Sequence, residues 1–341
     1  MTSLFFLDSS HFSGKFFLPI VCALCATACV TPTIQFSNEV VSSKIITVIT
    51  PKHIFDFDGL SFAPGSGLRW IETKNNIAHF WYVTDRGPNS EFNSKPLPYK
   101  YFEPKVFHLP DFKPAYGILE LDIEHLEAKI TSKFNIKRNG LIYSGLPEKS
   151  NNDKILVETA LDKNGKVIPP TEFGLDPESI DFDTDGFLYI GDEYAPSINK
   201  INAKTGEIES RLTPGNGIPE IYSMRQLNRG FEALAIQKNG DIWAALQSAI
   251  PVPNSSPKAF EPFIRLLRLD SKLNYPVEFA LSIPENLFEK KSSAKIGDMC
   301  FVSSDILAVI LQGNKSKSEF VSSIVFYNLS NSIPILPSQC S

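Results

Sequence analysis

The stretch at residues 176–201, DPESIDFDTDGFLYIGDEYAPSINKI, decides the fold. Glu178-Ser179-Ile180-Asp181-Phe182 alternates apolar and polar residues, as a half-buried strand does. Asp183-Thr184-Asp185-Gly186 supplies turn chemistry. Phe187-Leu188-Tyr189-Ile190 returns as a second strand and ends in Gly191-Asp192-Glu193. The same hairpin recurs along the chain. Glu232-Ala233-Leu234-Ala235-Ile236, the turn Asn239-Gly240 and residues 242–247 align with it without a gap. Residues 298–302 and 306–312 align after one deletion. Asp58-Gly59-Leu60-Ser61-Phe62 with residues 81–86 aligns across a longer loop. An acidic residue therefore opens a strand four times, and a polar residue closes its hairpin partner four times.

Repeats that start roughly 50–60 residues apart and consist of antiparallel hairpins predict an all-β chain folded as a β-propeller. Six blades are expected. In a propeller the first strands of successive blades ring a central channel, so equivalent positions meet across it. Asp58, Glu178, Glu232 and Asp298 are thus expected to gather as a ring of carboxylates at one mouth. Asp181, Asp183 and Asp185 are expected on the solvent side of the strand and in the turn.

Other strand signals fit the same reading. They are Ile45-Ile46-Thr47-Val48-Ile49, Phe80-Trp81-Tyr82-Val83, residues 116–121, residues 241–245 and residues 264–269. All are short, rich in β-branched and aromatic residues, and bounded by Gly, Pro, Asn or Asp. Residues 219–228 and 284–291 are expected to hold a helical turn or two each.

With 341 residues, 43% of them hydrophobic and 21% charged, the chain can bury a sizeable core. A net charge of -5 argues against nucleic acid as a partner. Lys15 precedes an apolar run at residues 16–26 that is too short to span a bilayer but suits a signal-peptide core. The run ends in Ala26-Thr27-Ala28-Cys29, like a lipoprotein cleavage box. Residues 1–28 are therefore expected to be a lipoprotein-type signal peptide, with Cys29 lipidated as the membrane anchor. Plain secretion with cleavage near Ala28 is the alternative. Residues 29–44 would then be a tether and 45–341 the propeller. The chain is expected in the periplasm or on the outer membrane. Cys22 and Cys25 would leave with the leader. Cys300 and Cys340 could pair, although Cys300, in an alternating strand, reads better as a core thiol.

The residues also carry a family likeness. Phe57-Asp58-Gly59-Leu60-Ser61 with Thr84-Asp85-Arg86-Gly87-Pro88-Asn89, and residues 106–114, are two of its motifs. Leu175-Asp176-Pro177-Glu178-Ser179-Ile180 with Gly191-Asp192-Glu193-Tyr194-Ala195-Pro196-Ser197-Ile198 is the most specific. Asn228-Arg229-Gly230-Phe231-Glu232-Ala233-Leu234 with Ala244-Ala245-Leu246-Gln247-Ser248, and Lys295-Ile296-Gly297-Asp298, complete the set. In this order they resemble the phytase-like family described as "esterase-like activity of phytase". The resemblance implies a secreted bacterial propeller hydrolase. Ser179 and Ala233 depart from it, standing where the family favours Gly, and Gln312 closes a hairpin where a charged end is usual. The last acidic repeat that the resemblance implies is missing too, so the last of the six blades is expected to be atypical or incomplete, either short or completed by an N-terminal strand near residues 34–49.

Converging carboxylates stay ionised only if a cation, an Arg or Lys, or a proton offsets their repulsion. Oxygen-only donors suit a hard cation, Ca²⁺ first and Mg²⁺ second. Asp58, Glu178, Glu232 and Asp298 are the candidate metal ligands. The alternative is a salt-bridged mouth with Arg86 and Arg229 as partners. Those two arginines are also the candidate substrate-binding residues, since a guanidinium clamps phosphate bidentately. Asp192 and Glu193 are candidate general bases on a metal-held water, and the Tyr194 hydroxyl a candidate to orient a substrate oxygen. There is no Gly-x-Ser-x-Gly elbow, and the histidines are scattered. Two functions follow as expectations. One is an exported metal-dependent hydrolase acting on a small-molecule phosphate ester or another ester. The other is a non-catalytic envelope propeller that binds a ligand or protein partner, with any calcium structural.

Overall fold

Short apolar runs cut by Gly, Asn and Asp build strands joined by tight turns, and four antiparallel meanders follow one another along the chain. The computed structural model describes residues 65–92, 103–149, 158–252, 255–256 and 259–335, with the backbone of a few short strands before residue 65. The first meander comprises Gly67–Lys74, Ile77–Val83, Ala115–Asp122 and Glu127–Asn135. The second comprises Pro177–Phe182, Phe187–Asp192, Ser197–Asn202 and Ile208–Pro214, with Gly217–Ile218 added at its edge. The third is Phe231–Ile236, Ile242–Leu246, Phe263–Leu269 and Val277–Ser282. The fourth holds Lys295–Phe301, Ile306–Asn314 and Phe320–Asn328.

The first strand of each meander packs beside the first strand of the next. That arrangement is a β-propeller, with the meanders as blades. The described residues hold four blades and a smaller three-stranded sheet of Asn89–Glu91, Lys105–Phe107 and Ala160–Leu161, against the six blades expected. In the fourth blade the outermost place is taken by Phe36–Ser37, antiparallel to Phe320–Asn328. The completing strand is therefore two residues long and lies at the start of the expected 34–49 window. Among the described residues helix is confined to single 3₁₀ turns, Glu220–Met224 inside one expected segment and Lys291–Ser293 at the end of the other.

Two local expectations change. Ile77–Val83 pairs with Gly67–Lys74, not with the strand at Asp58. Leu60–Ser61 pairs instead with Asp56–Phe57. Asp181 is not on the solvent side: only 6% of it is exposed. Asp183 does cap its turn, accepting the N–H groups of Asp185 and Phe187.

In the third blade the second strand, Ile242–Leu246, is covered on both faces and is accordingly an unbroken apolar run with every residue buried. A single core cluster joins Tyr189, Phe231, Leu246, Met299 and Leu307 across the last three blades.

At the centre one side chain ties the inner strands together. Arg69, on the first blade, pairs through Nε with Asp181 of the second at 3.1 Å. Its Nη2 donates to the carbonyl oxygens of Leu234 on the third blade at 2.8 Å and Met299 on the fourth at 3.1 Å. Asp181 in turn accepts the Ile236 N–H at 2.7 Å. Half-buried Cys300 sits beside this group as a free thiol, and burial pushes its pKa up. It is thus a channel residue rather than a core one; its proposed partner Cys340 lies outside the described residues.

Removing one member of a buried ion pair strands the other, at a cost of about 3–5 kcal/mol. Arg69→Met should therefore lower the urea midpoint by a loss of that order at unchanged m. Combining it with Asp181→Leu should recover part of the loss. A single variant as stable as the parent would show that Arg69 does not hold the blades.

Candidate functional site

The inner strands of the second, third and fourth blades share an irregularity at their start. Pairing skips from Pro177 to Ser179, from Phe231 to Ala233 and from Ile296 to Asp298. The unpaired residues are Glu178, Glu232 and Gly297, and a bulge of this kind re-aims its extra residue out of the ladder. Glu178 and Glu232 are therefore equivalent, as expected. Asp298 is not: it stands opposite Ile310, at the station of Ser179 and Ala233. Its carboxylate accepts the Met299 N–H, and its pKa, raised by burial to about 6, is held down by Arg69. Asp58, the fourth expected ligand, lies outside the described residues, as does Cys29.

The acid that joins Glu178 is Asp176, which was not among the expected ligands. One carboxylate oxygen from each of Asp176, Glu178 and Glu193 lies within 4.8 Å of the others. Asp176 stands immediately before Pro177, the first residue of the inner strand, and its carbonyl oxygen accepts the Glu193 N–H at 2.9 Å. That bond sets the two acids side by side. Its Oδ1 accepts the Arg86 N–H at 3.0 Å. Half-buried Glu178 accepts from Ser66 Oγ at 2.7 Å. Gln247 then bridges the next pair: its Nε2 donates to Glu193 Oε1 at 3.2 Å and to Glu232 Oε2 at 2.7 Å. Gly230 makes this junction of second and third blades possible, since a Cβ there would come within 2.5 Å of the Glu193 carbonyl oxygen.

Around the cluster, several expected site residues are committed to internal bonds. Arg86 is 6% exposed. Its Nη1 meets Glu158 Oε2 at 2.5 Å, Asn228 Oδ1 at 2.7 Å and Asp176 Oδ2 at 3.1 Å. Asp192 is fully buried and accepts from the Asp176 and Tyr194 N–H groups and from Ser197 Oγ, with Arg211 Nη2 at 3.4 Å. Arg211 is itself forked onto Glu148 at 2.5 and 2.7 Å. The Tyr194 hydroxyl donates to the Gly145 carbonyl at 2.8 Å. Arg225, another residue without a sequence signal, donates to the Glu193 and Tyr194 carbonyls. Arg229 is half-buried and faces the mouth, with Nη1 on Ser248 Oγ at 3.0 Å. His79, His108 and His125 have their partners elsewhere, on Glu120, Ser90 and Asp122.

Burial dominates the electrostatics. It raises Asp176 to about 6 against the pull of Arg86, Asp192 to about 7 against Arg211, and Glu158 to about 7. Glu232 reaches about 8. Glu178 and Glu193 are raised well above the ordinary range, first by burial and then by Asp176 and Glu232. Near the cluster, the buried Glu158 Oε1 and Gln247 Oε1 have no hydrogen-bond partner among the described residues, and Asp176 Oδ2 meets the Arg86 guanidinium as an ion pair at 3.1 Å. Clustered carboxylates short of donors, with no sulfur or imidazole among them, are the donor set of a hard cation. The cluster could bind a metal ion.

A family model described as "Phytase-like: Esterase-like activity of phytase" matches residues 62–336. The chain belongs to the phytase-like family. No curated protein matches it significantly. Among solved structures, this phytase-like chain is similar to the GH43 protein BlXynB from Bacillus licheniformis. The identity is 12% over 88% of this chain and 52% of that one, with a TM-score of 0.36. Virginiamycin B lyase from Staphylococcus aureus matches at 12% identity over 76% of this chain and 84% of that one, TM-score 0.29. The Cps50 (Swd1) β-propeller domain of Myceliophteria thermophila matches at 11% over 42% and 38%, TM-score 0.24. The phytase-like chain thus spans about half the length of the GH43 protein.

The raised carboxyls make a signed prediction for the metal-free protein. In the folded chain they hold protons at a pH where the unfolded chain, with carboxyls near 4, has lost them. Folding therefore takes up protons between about pH 4 and 8, and stability falls as pH rises through that window. Melting after chelation should drop by roughly 5 °C or more from pH 5 to pH 8. Added Ca²⁺ should restore more of it at pH 8 than at pH 5. Melting that is flat or rises with pH would contradict the protonated cluster.

Proposed function

We propose that this chain is an exported, metal-dependent hydrolase of phosphate esters that works at the propeller mouth. The observation that carries the proposal is the convergence of one carboxylate oxygen from each of Asp176, Glu178 and Glu193 within 4.8 Å. Asp176, Glu178 and Glu193 would hold the cation, Ca²⁺ first and Mg²⁺ second, with Glu232 next to them on the shared Gln247 amide. The bound ion would supply Lewis acidity toward the ester and an acidified water.

The chain's own residues divide the rest of the work. Glu193 is the candidate to take a proton from the attacking water, because Gln247 holds its Oε1 at the edge of the cluster. Asp192 and Tyr194 are reassigned as positioning residues: the first fixes the Asp176 and Tyr194 backbone, the second anchors to Gly145. Arg86 holds Asp176 and Glu158 in place. Arg229, which forms no ion pair among the described residues, is left to hold the anionic end of the substrate.

The enclosure of Arg86, Asp192 and Tyr194 favours a second reading. In it the mouth is a ligand-binding rim of a non-catalytic envelope propeller, and calcium is structural. The first 29 residues support export and anchoring through Cys29 in either case, with the protein in the periplasm or on the outer membrane.

Calorimetry on chelator-stripped protein tests the main reading. Ca²⁺ should bind with release of protons, and Glu178→Gln should weaken it by about a hundredfold, the order lost with one charged ligand. Phosphate-ester hydrolysis should vanish with the metal. Tight Ca²⁺ binding without turnover of any ester would instead support the binding-rim reading. Separately, radiolabelled palmitate should enter the chain and be lost in Cys29→Ser. Secretion of unlabelled protein would replace the anchor with plain export.

A further inference from the structure

The fourth blade breaks the mouth's acidic pattern, and what replaces the acids is specific. Gly297 occupies the station of Glu178 and Glu232. Gln312 follows Leu311, the partner of Ile296, as Glu193 follows Asp192, the partner of Pro177. Gly297 has no left-handed backbone to demand a glycine. A Cβ there would meet only side-chain atoms, Gln312 Nε2 at 3.1 Å and Ile310 Cγ2 at 3.4 Å. This side of the mouth thus lacks an acid at Gly297, and the flexible end of Gln312, with its amide nitrogen, lies over that floor.

Two basic residues converge on the same side. The Ile296 N–H donates to the Gln247 carbonyl oxygen at 2.8 Å, which brings Lys295 beside Gln247 and Ser248. Ser248 Oγ in turn holds Arg229 Nη1 at 3.0 Å. Among the described residues neither Arg229 nor Lys295 forms an ion pair. Arg229 feels the charge of Glu193 first, then of Glu103 and Glu232, and Lys295 acts on Glu232. Elsewhere at the mouth, Arg86 and Arg211 are consumed by carboxylates. These two are not.

We propose that the fourth-blade side of the mouth is an anion subsite, in which Arg229, Lys295 and Gln312 receive the dianionic phosphoryl group of a small ester over Gly297. This rests on the functional reading above, with Asp176, Glu178 and Glu193 facing the group from the second blade. Two separate cations and an amide donor match a dianion better than a single negative charge. A carboxyl ester, which carries no such charge, would leave both cations unused. The subsite therefore selects phosphate esters.

Phenylphosphonate and benzoate, which share a ring but differ in charge, separate these cases. Both are titrated into the purified protein by calorimetry, with and without Ca²⁺. Phenylphosphonate should bind at least about tenfold tighter than benzoate. Arg229→Gln and Lys295→Gln should each weaken it about tenfold, and Lys295→Arg should keep most of the affinity. Gly297→Asp restores the acidic pattern, with the flexible Gln312 amide shifting to admit it. It should abolish phosphonate binding and tighten Ca²⁺. Equal binding of the two probes, or phosphonate binding unchanged in Gly297→Asp and Lys295→Gln, would overturn the subsite. Ca²⁺ uptake with no phosphonate binding would overturn it too, while leaving the metal centre standing. Phosphonate binding that depends on Lys295 in a protein that takes up no Ca²⁺ would do the reverse.

Discussion

The tie through Arg69 is the constraint on which the mouth depends. A ring of sheets brings its innermost strands together along a narrow axis, where backbone carbonyls and any acidic side chain meet without room for much water. One guanidinium meets that demand by touching the other three inner strands at once, through Asp181 and the carbonyls of Leu234 and Met299. Its planar fork of donors is what allows three directions of contact from one side chain. With the strands in that register, the bulges at Glu178 and Glu232 fall at the same height and open toward the same end.

At that end the chain does something costly. It buries several carboxylates together and supplies fewer arginines than acids. Arg86 is shared between Asp176 and Glu158, and Arg211 between Glu148 and Asp192, while burial lowers Arg225 to about 10 as it serves backbone carbonyls. The repulsion among Asp176, Glu178 and Glu193 that Arg86 does not offset is left for protons or for a cation to relieve. A purely structural rim needs no such arrangement, because pairing each acid with a neighbouring arginine would be more stable. The surrounding residues read as a frame that keeps the three carboxylates close.

Much of this was legible in the repeat. The hairpins at Glu178, Glu232 and residue 298 set the fold class, and their acids pointed to one mouth. What stayed hidden was register. A bulge adds a residue that no alignment of alternating patterns reveals, so Asp298 was set one place too far toward the ring, where Gly297 stands. Asp181 looked like a surface acid because its partner, Arg69, is remote in sequence and carries no motif. Asp176 sat inside the quoted motif, but as a residue before a Pro it resembled a strand boundary rather than a ligand. Glu158 had no local signal of any kind.

The short pair between Phe36–Ser37 and Phe320–Asn328 bears on how the molecule is made. The ring closes by joining segments from near opposite ends of the chain, so its last sheet has the greatest loop entropy to overcome. The third sheet takes a strand from the same N-terminal region, Thr33–Ile34 beside Val277–Ser282. Both of the last two sheets are therefore completed by residues that precede the first blade, and the circle is fastened by contacts between segments far apart in sequence.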